Sequence, residues 1–382
     1  MDNLKLSVSE KHTKTIQSKT TYEEVEMNTN EKMYYNMIVS KDKSNSFINI
    51  FNLKWNEYLN GFDLPYRNSR QLALGNRLRP ILCCWGYMHG YNLMELSSFE
   101  NIASIAVSLE AIHKASVIID DVIDGDNKRR GVDCFHIEFG EKEATFFAVC
   151  LLSGAIKNLN DYLTNVVSNQ IIIKKSINLL CDTIINMCVG AINEIQIGID
   201  DRCNISKINQ IINSETVALL KNSFLIGYMA SDKYNDMLFN AFSDIGSKCG
   251  YIFQVMNDLE PFCNPQYILS HKGNLNSDCL RSRKNIVIPY IFSNASKKDR
   301  VLLKSLMDTE GNYNTLKDLF IKYHIRNIIF SDMNDLRSAI HTTIKNIPSN
   351  ATDSNWLEVF PIFVDNLINY CISILDGTPQ KW

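Results

Sequence analysis

The sequence is short of the residues that interrupt helices. In 382 residues it holds 16 glycines and 8 prolines, and from about Phe47 onward little of it alternates apolar and polar residues as a half-buried strand does. That shortage argues against a sandwich or barrel, which need frequent turns. A charge surplus is also missing. The 39 basic and 42 acidic side chains leave a formal −3, so there is no broad basic field and nucleic acid is not an expected partner. Eleven cysteines include no C-x-x-C pair, and Cys83 and Cys84 are adjacent, which suits neither a zinc site nor a secreted disulfide framework. Reduced thiols and a cytoplasmic location are the expectation. The start of the chain has no charged segment leading into an apolar run and a cleavage site. No run of eighteen or so apolar residues marks a membrane span, and a soluble protein is expected.

What the sequence does hold is helix. Segments of helical period follow one another from FINIFNLKWNEYL at Phe47, with breaks expected near Asn294 to Lys298, Glu310 to Asn314 and Pro348 to Ser354. An all-α bundle forming a single domain over residues 44–382 is the natural fold class. Residues Met1 to Lys43 are rich in Ser, Thr, Lys, Glu and Asn with few large apolar groups, a composition read as a flexible polar tail.

The chemistry concentrates in LEAIHKASVIIDDVIDGDNKRRG, Leu109 to Gly131. Asp120 and Asp124 are four apart, so on a helix they share a face, with Asp121 beside them. The residues before them, Ala115 to Ile119, are apolar or small, so the acids close a core-type helix, where unpaired charge is costly. A solvated acidic helix end is the bland alternative. A calcium loop fits poorly, because its oxygen ligands alternate and it needs a glycine at the sixth position and a glutamate at the twelfth. Arg129 and Arg130 follow instead, and paired guanidiniums suit a bidentate grip on phosphate. Carboxylates for Mg²⁺ beside arginines make a site for a diphosphate.

These residues resemble the first aspartate-rich region of the trans-polyprenyl diphosphate synthases: a glutamate, two residues, a histidine, then DDxxD, then RRG. Glu110, His113, Asp120, Asp121, Asp124 and Arg129 to Gly131 carry the match. Other segments extend the resemblance over roughly Gln71 to Pro289. GNRLRP, at Gly75 to Pro80, is similar to the family's GKRLRP, whose lysine and later arginine bind isopentenyl diphosphate; Arg79 is kept, but Asn76 stands where the lysine would be. SETVALLKNSFLIGYMAS, from Ser214, resembles KTAxLFxxSxxIGAxxA, with Thr216 kept and Glu215 reversing the charge of a diphosphate-binding lysine. Lys221, a turn and a half on, is a candidate to take over. YIFQVMNDLEPF, from Tyr251, resembles the second metal motif, FQxxDDxxD. Phe253, Gln254 and Asp258 match, Asn257 replaces the first aspartate and Pro261 the last, and a weaker metal site with the helix ended or kinked just past it is expected. HKGNLNSDCLRSRKNIVIP resembles the flap whose lysines cover the diphosphate, with Lys272, Asp278, Arg283 and Lys284 as candidates.

The resemblance implies an isoprenoid synthase fold around a central apolar cavity. It also implies three magnesium ions on Asp120, Asp121, Asp124, Asn257 and Asp258, and catalysis of allylic diphosphate ionisation through Asp120, Asp124 and Arg129. Substrate-binding roles follow for Arg79, His113, Arg129, Arg130, Thr216, Gln254, Lys272 and Lys284. Ala115 and Ser116, where farnesyl-making relatives place aromatic rings, point to a product of C20 or longer. An allylic prenyl diphosphate and isopentenyl diphosphate are the implied substrates, and a homodimer the implied assembly. Asn76 and Glu215 keep two other readings open: a terpene synthase that cyclises without an acceptor, and a non-catalytic subunit of a heteromeric synthase.

Overall fold

The computed structural model describes residues 44–89, 97–272, 284–308, 313–352 and 354–377; the expected tail over Met1 to Lys43 lies outside them. The principal helices are α1 (Ser44–Asn60), α2 (Leu78–Met88), α3 (Ser97–Asp124), α4 (Glu141–Val166), α5 (Gln170–Gln196), α6 (Ala218–Ala230), α7 (Asp236–Cys263), α8 (Pro265–Lys272), α9 (Val287–Asn294), α10 (Ile325–Lys345) and α11 (Ser354–Leu375). Further helical segments connect them. Among the described residues the only strands are β1 (Lys128–Arg129) and β2 (Val132–Asp133), a two-stranded antiparallel ribbon. The all-α expectation holds, and the helices near the C-terminus break at Asn294, Asp308 and Lys345.

α3 is the spine, with α1, α2 and α4 packed around it, and α6 is wedged between α2, α5 and α7. The Ser104 to Ser108 stretch of α3 and most of the apolar side chains of that helix are buried, so its middle is held inside the bundle on every face. α2 and α6 meet backbone to backbone through two glycines. A Cβ on Gly227 would lie 1.9 Å from the Cys83 carbonyl oxygen, and one on Gly86 2.0 Å from that of Phe224. Beside this crossing Trp356 stacks on Phe360 at 4.3 Å between ring centres, and its Nε1 donates to the Trp85 carbonyl at 3.0 Å.

One expectation needs correcting. Three helical spans, Phe99–Asp124, Gln170–Gln196 and Trp356–Leu375, are long and apolar enough to cross a membrane. The sequence hid this because Glu110 and Lys114 interrupt the apolar run of α3 without lowering its average hydropathy below what a span requires. The most apolar part of Phe99–Asp124 is 78% buried in the protein, whereas that of Gln170–Gln196 is only 22% buried.

Candidate active site

The acidic motif is positioned by the way α3 stops. Gly125 takes φ +64°, and the Asp126 N–H donates to the Asp121 carbonyl at 3.1 Å, the pattern of a glycine-terminated Schellman end. β1 and β2 then fold back in register Arg129 to Val132, and the two residues between them, Arg130 and Gly131, both have positive φ, +54° and +77°. That is a type I′ turn, which suits the twist of a two-residue hairpin. The turn returns Arg129 to α3. Its Nε donates to Asp121 Oδ1 at 2.6 Å, while Gln71 Nε2 donates to Asp121 Oδ2 and Gln71 Oε1 accepts from the Phe135 N–H at 2.6 Å.

Asp121 is therefore 0% exposed with each carboxylate oxygen already engaged. It braces Arg129 and stands apart from Asp120 and Asp124, which remain a turn apart at the helix end, half-buried and exposed. Burial by itself would lower the Arg129 pKa, but the Asp121 carboxylate holds it above the ordinary guanidinium range. Burial pushes the Asp120 carboxyl up, aided by Glu194 and Asp121 and opposed by Lys284 and Arg129.

Across from α3 the helix leading into α6 makes one π turn, Asn213–Val217, which carries Glu215 and Thr216. Such turns locally widen a helix and often occur at functional sites. Glu215 pairs with Lys284, which also lies 3.1 Å from Glu194 of α5. Burial pushes the Glu215 carboxyl up to about 8 against the pull of Lys284. Burial would lower Lys284, but Glu194, Glu215 and Asp120 together hold it well above the lysine range. The sequence offered Lys221 as the cation replacing the one lost at Glu215. The structure puts Lys284 against Glu215, and packs the stem of Lys221 over Gly246 of α7.

Thr216 Oγ1 donates to Gln254 Oε1 at 2.8 Å, Gln254 Nε2 to Asp258 Oδ1 at 2.7 Å, and the Ile286 N–H to Asp258 Oδ2 at 2.9 Å. Thr216 and Gln254 thus tie the π turn, α7 and the Lys284 segment together. Asp258 is buried, its carboxyl raised to about 7 by desolvation. Asn257, half-buried, is the residue of the second motif with the more accessible side chain. α7 does not end at Pro261; it continues to Cys263, although the missing proline N–H removes the usual helical donor to the Asn257 carbonyl. Lys272 closes α8, but its side chain, like Asp278 and Arg283, lies outside the described residues.

A second, basic pocket lies under the hairpin. It is lined by Gln71, Leu74, His113, Lys114, Arg129 and Arg130. Arg79 is buried alongside, its Nε without a hydrogen-bond partner among the described residues and its pKa lowered to about 10 by burial, against the Glu110 carboxylate. Burial and then the Arg79 charge hold His113 well below the usual histidine range. Arg77, by contrast, does not face solvent at a helix start. It is buried against Glu110 at 2.6 Å and over the rings of Phe51 and Trp55. Lys114 escaped the sequence reading, although a lysine inside an apolar stretch was the signal to look for.

Among the described residues, no three His, Cys, Asp or Glu side chains converge on a metal position. The donor set nonetheless fits Mg²⁺ delivered with a diphosphate. Hard oxygens are present in Asp120, Asp124 and Asn257, Asp120 is raised by burial with its acidic neighbours assisting, and a buried Glu215 oxygen has no hydrogen-bond partner among the described residues. Magnesium characteristically takes the rest of its ligands from water and phosphate.

Long helices ending in an acidic face and an arginine hairpin, with a basic pocket beside them, are the chemistry a helical protein needs to hold a diphosphate. The comparisons agree. The polyprenyl synthetase family model matches residues 66–322. The chain is 25% identical over 267 residues to a short chain isoprenyl diphosphate synthase of Methanocaldococcus jannaschii, covering 69% of this chain and 76% of that protein. It is 25% identical over 272 residues to a geranylgeranyl diphosphate synthase of Methanosarcina mazei, covering 70% and 80%. Its fold matches a polyprenyl synthase from Caulobacter crescentus, solved with calcium and isoprenyl diphosphate, with a TM-score of 0.71 at 16% identity over 87% of this chain and 97% of that one. The chain belongs to the polyprenyl synthetase family, whose members are prenyltransferases.

Proposed function

We propose that the protein ionises an allylic prenyl diphosphate and transfers the prenyl group to isopentenyl diphosphate. The observation that carries this reading is the pair of adjoining sites: an acidic face at Asp120 and Asp124, and a pocket of His113, Lys114, Arg129 and Arg130 with Arg79 beside it. Two diphosphates have two kinds of partner there. Mg²⁺ held by Asp120, Asp124 and Asn257 would supply charge neutralisation to the departing diphosphate. Arg129, fixed by Asp121, presents its remaining N–H groups where that charge develops. The carbon–oxygen bond of the allylic diphosphate breaks, the double bond of the acceptor closes on the cation, and a proton leaves the adduct. Asp258, Gln254 and Thr216 act in this scheme as positioning residues for the Lys284 segment.

Ala115, fully buried, and Ser116, whose hydroxyl turns back to the His113 carbonyl at 2.9 Å, put no ring in the path below the motif, which favours a product of C20 or longer. A cyclase working without an acceptor, or a non-catalytic subunit, would have no use for a built basic pocket. Exposed Phe146 and Val149 on α4 with Ile185, Val189 and Ile192 on α5 support association of two copies through these helices. A cytoplasmic location belongs to the same proposal.

The test is incubation with Mg²⁺ and geranyl, farnesyl or geranylgeranyl diphosphate, each with and without isopentenyl diphosphate. The reading requires a longer prenyl diphosphate that forms only with isopentenyl diphosphate. A hydrocarbon or alcohol formed from the allylic substrate alone would replace it with cyclisation.

A further inference from the structure

We infer that Lys114, projecting from α3, supplies the charge for the acceptor's diphosphate that Asn76 on the facing loop does not. The inference rests on the reading that a second diphosphate enters the basic pocket. Asn76 is turned onto its own loop, where its Oδ1 accepts from the Leu78 N–H at 3.3 Å. Lys114 comes to the same place from the opposite wall. Its Nζ donates to the Gln71 carbonyl at 2.8 Å and to the Leu74 carbonyl, which leaves one N–H of the ammonium. Gly75, at φ +143°, brings Arg130 to the same point: a Cβ there would stand 2.7 Å from Arg130 Nη1 and in ordinary contact, at 3.5 Å, with Lys114 Nζ, so both cations lie against one bare stretch of backbone.

The local charge is unbalanced. Arg79, Lys114 and Arg130 surround this point with Glu110 as the nearby acid, and Glu110 is 2.6 Å from Arg77 against 3.9 Å from Lys114. Arg79 Nε, buried and without a hydrogen-bond partner among the described residues, is a second and independent sign that this pocket is built for an anion, because a buried donor left without an acceptor is costly. Burial, and then Arg77, hold Lys114 well below the usual lysine range, with Glu110 opposing; an arriving diphosphate would reverse that. A lysine kept only to tie the loop would need its donors but not its charge.

The experiment separates those two roles in the full-length chain. Lys114→Gln keeps an amide donor for the loop carbonyls and removes the charge. Inorganic pyrophosphate is titrated calorimetrically without Mg²⁺, so that binding reports the cationic pocket and not the acidic face. Lys114→Gln is expected to weaken this binding tenfold or more, the usual range for a charge-assisted hydrogen bond. It should raise KM for isopentenyl diphosphate by a similar factor at near-constant kcat, and Asn76→Lys in the same chain should restore most of both. Pyrophosphate binding within twofold of wild type, or no rescue by Asn76→Lys, overturns the inference. If Lys114→Gln fails to fold, Asn76→Asp decides: an acid placed opposite Lys114 should compete with pyrophosphate and cost tenfold, and an unchanged affinity overturns the inference. Failure to consume isopentenyl diphosphate at all would sink the transferase reading, while the pyrophosphate titration would still decide Lys114.

Discussion

Arg129 Nε donates to Asp121 Oδ1 at 2.6 Å, and Asp121 is wholly buried. The middle acid of the motif therefore serves the arginine, and in the proposed function the acids that flank it are the ones that would hold the cation. Asp121→Asn removes one charge of this pair and leaves Arg129 without its counter-charge. Breaking a buried pair on one side costs about 3 kcal/mol, so the variant should unfold at distinctly lower denaturant and lose most of its pyrophosphate release. Release kept at the wild-type rate would remove Arg129 from the reaction.

Asp120 carries a different burden. Asp120→Ala should abolish release of pyrophosphate from an allylic diphosphate while thermal unfolding stays near wild type, because burial already penalises the charge of this carboxyl in the fold. Persistent release would place ionisation elsewhere.

Glu215 places a further acid near Asp120 and occupies Lys284. In Glu215→Gln the lysine loses one of its two acidic partners and, above about pH 8 where the Glu215 carboxyl is ionised, a repulsive charge is gone, so at such a pH magnesium pyrophosphate should bind about tenfold tighter at low salt. Weaker binding in the calorimeter would instead make Glu215 a metal ligand.

The crossing of α2 and α6 leaves no room for a methyl group at Gly227, since its neighbour is backbone. Gly227→Ala should cost about 3 kcal/mol in denaturant unfolding. Gly198→Ala, with open space around it, should fall within about 0.5 kcal/mol of wild type.

His89 gives a pH test away from the site. Its Nδ1 lies 2.9 Å from the Gly86 carbonyl and its ring packs at a tilt against Tyr228, and burial lowers its pKa to about 4, with the Gly86 hydrogen bond opposing and Lys233 assisting. The neutral ring is the one that fits. Its stabilising contribution is complete above the unfolded value near 6.5 and is lost as pH falls toward 4, because the unfolded chain binds the proton more readily. In His89→Gln the fall in stability between pH 6.5 and 4 should be shallower than in wild type by about 3 kcal/mol. Parallel unfolding curves for the two proteins would contradict this.

The helical architecture was legible because period, length and scarce Gly and Pro all agree along the chain. So was the outline of the acidic motif, since Asp120, Asp124, Gly125 and the Arg130–Gly131 turn are set by neighbours in sequence. Roles that depend on distant partners were not. Nothing near Asp121 announces that Gln71, fifty residues earlier, takes one of its oxygens. Lys284 meets Glu215 across a separation of 69 residues, whereas Lys221 looked closer only along the chain. Lys114 was passed over because its partners are carbonyls, which every residue carries.

The pairing of Lys284 with Glu194 and Glu215 also changes what it means for this enzyme to bind substrate. Under the proposed function, a site that carries its own tethered counter-ion would behave as an exchanger, not a sponge, because the incoming metal and diphosphate would have to evict an internal competitor that is always at hand. Occupancy should then rise only when metal and diphosphate arrive together, since the diphosphate gives the displaced ammonium a new partner. Magnesium alone would offer it none.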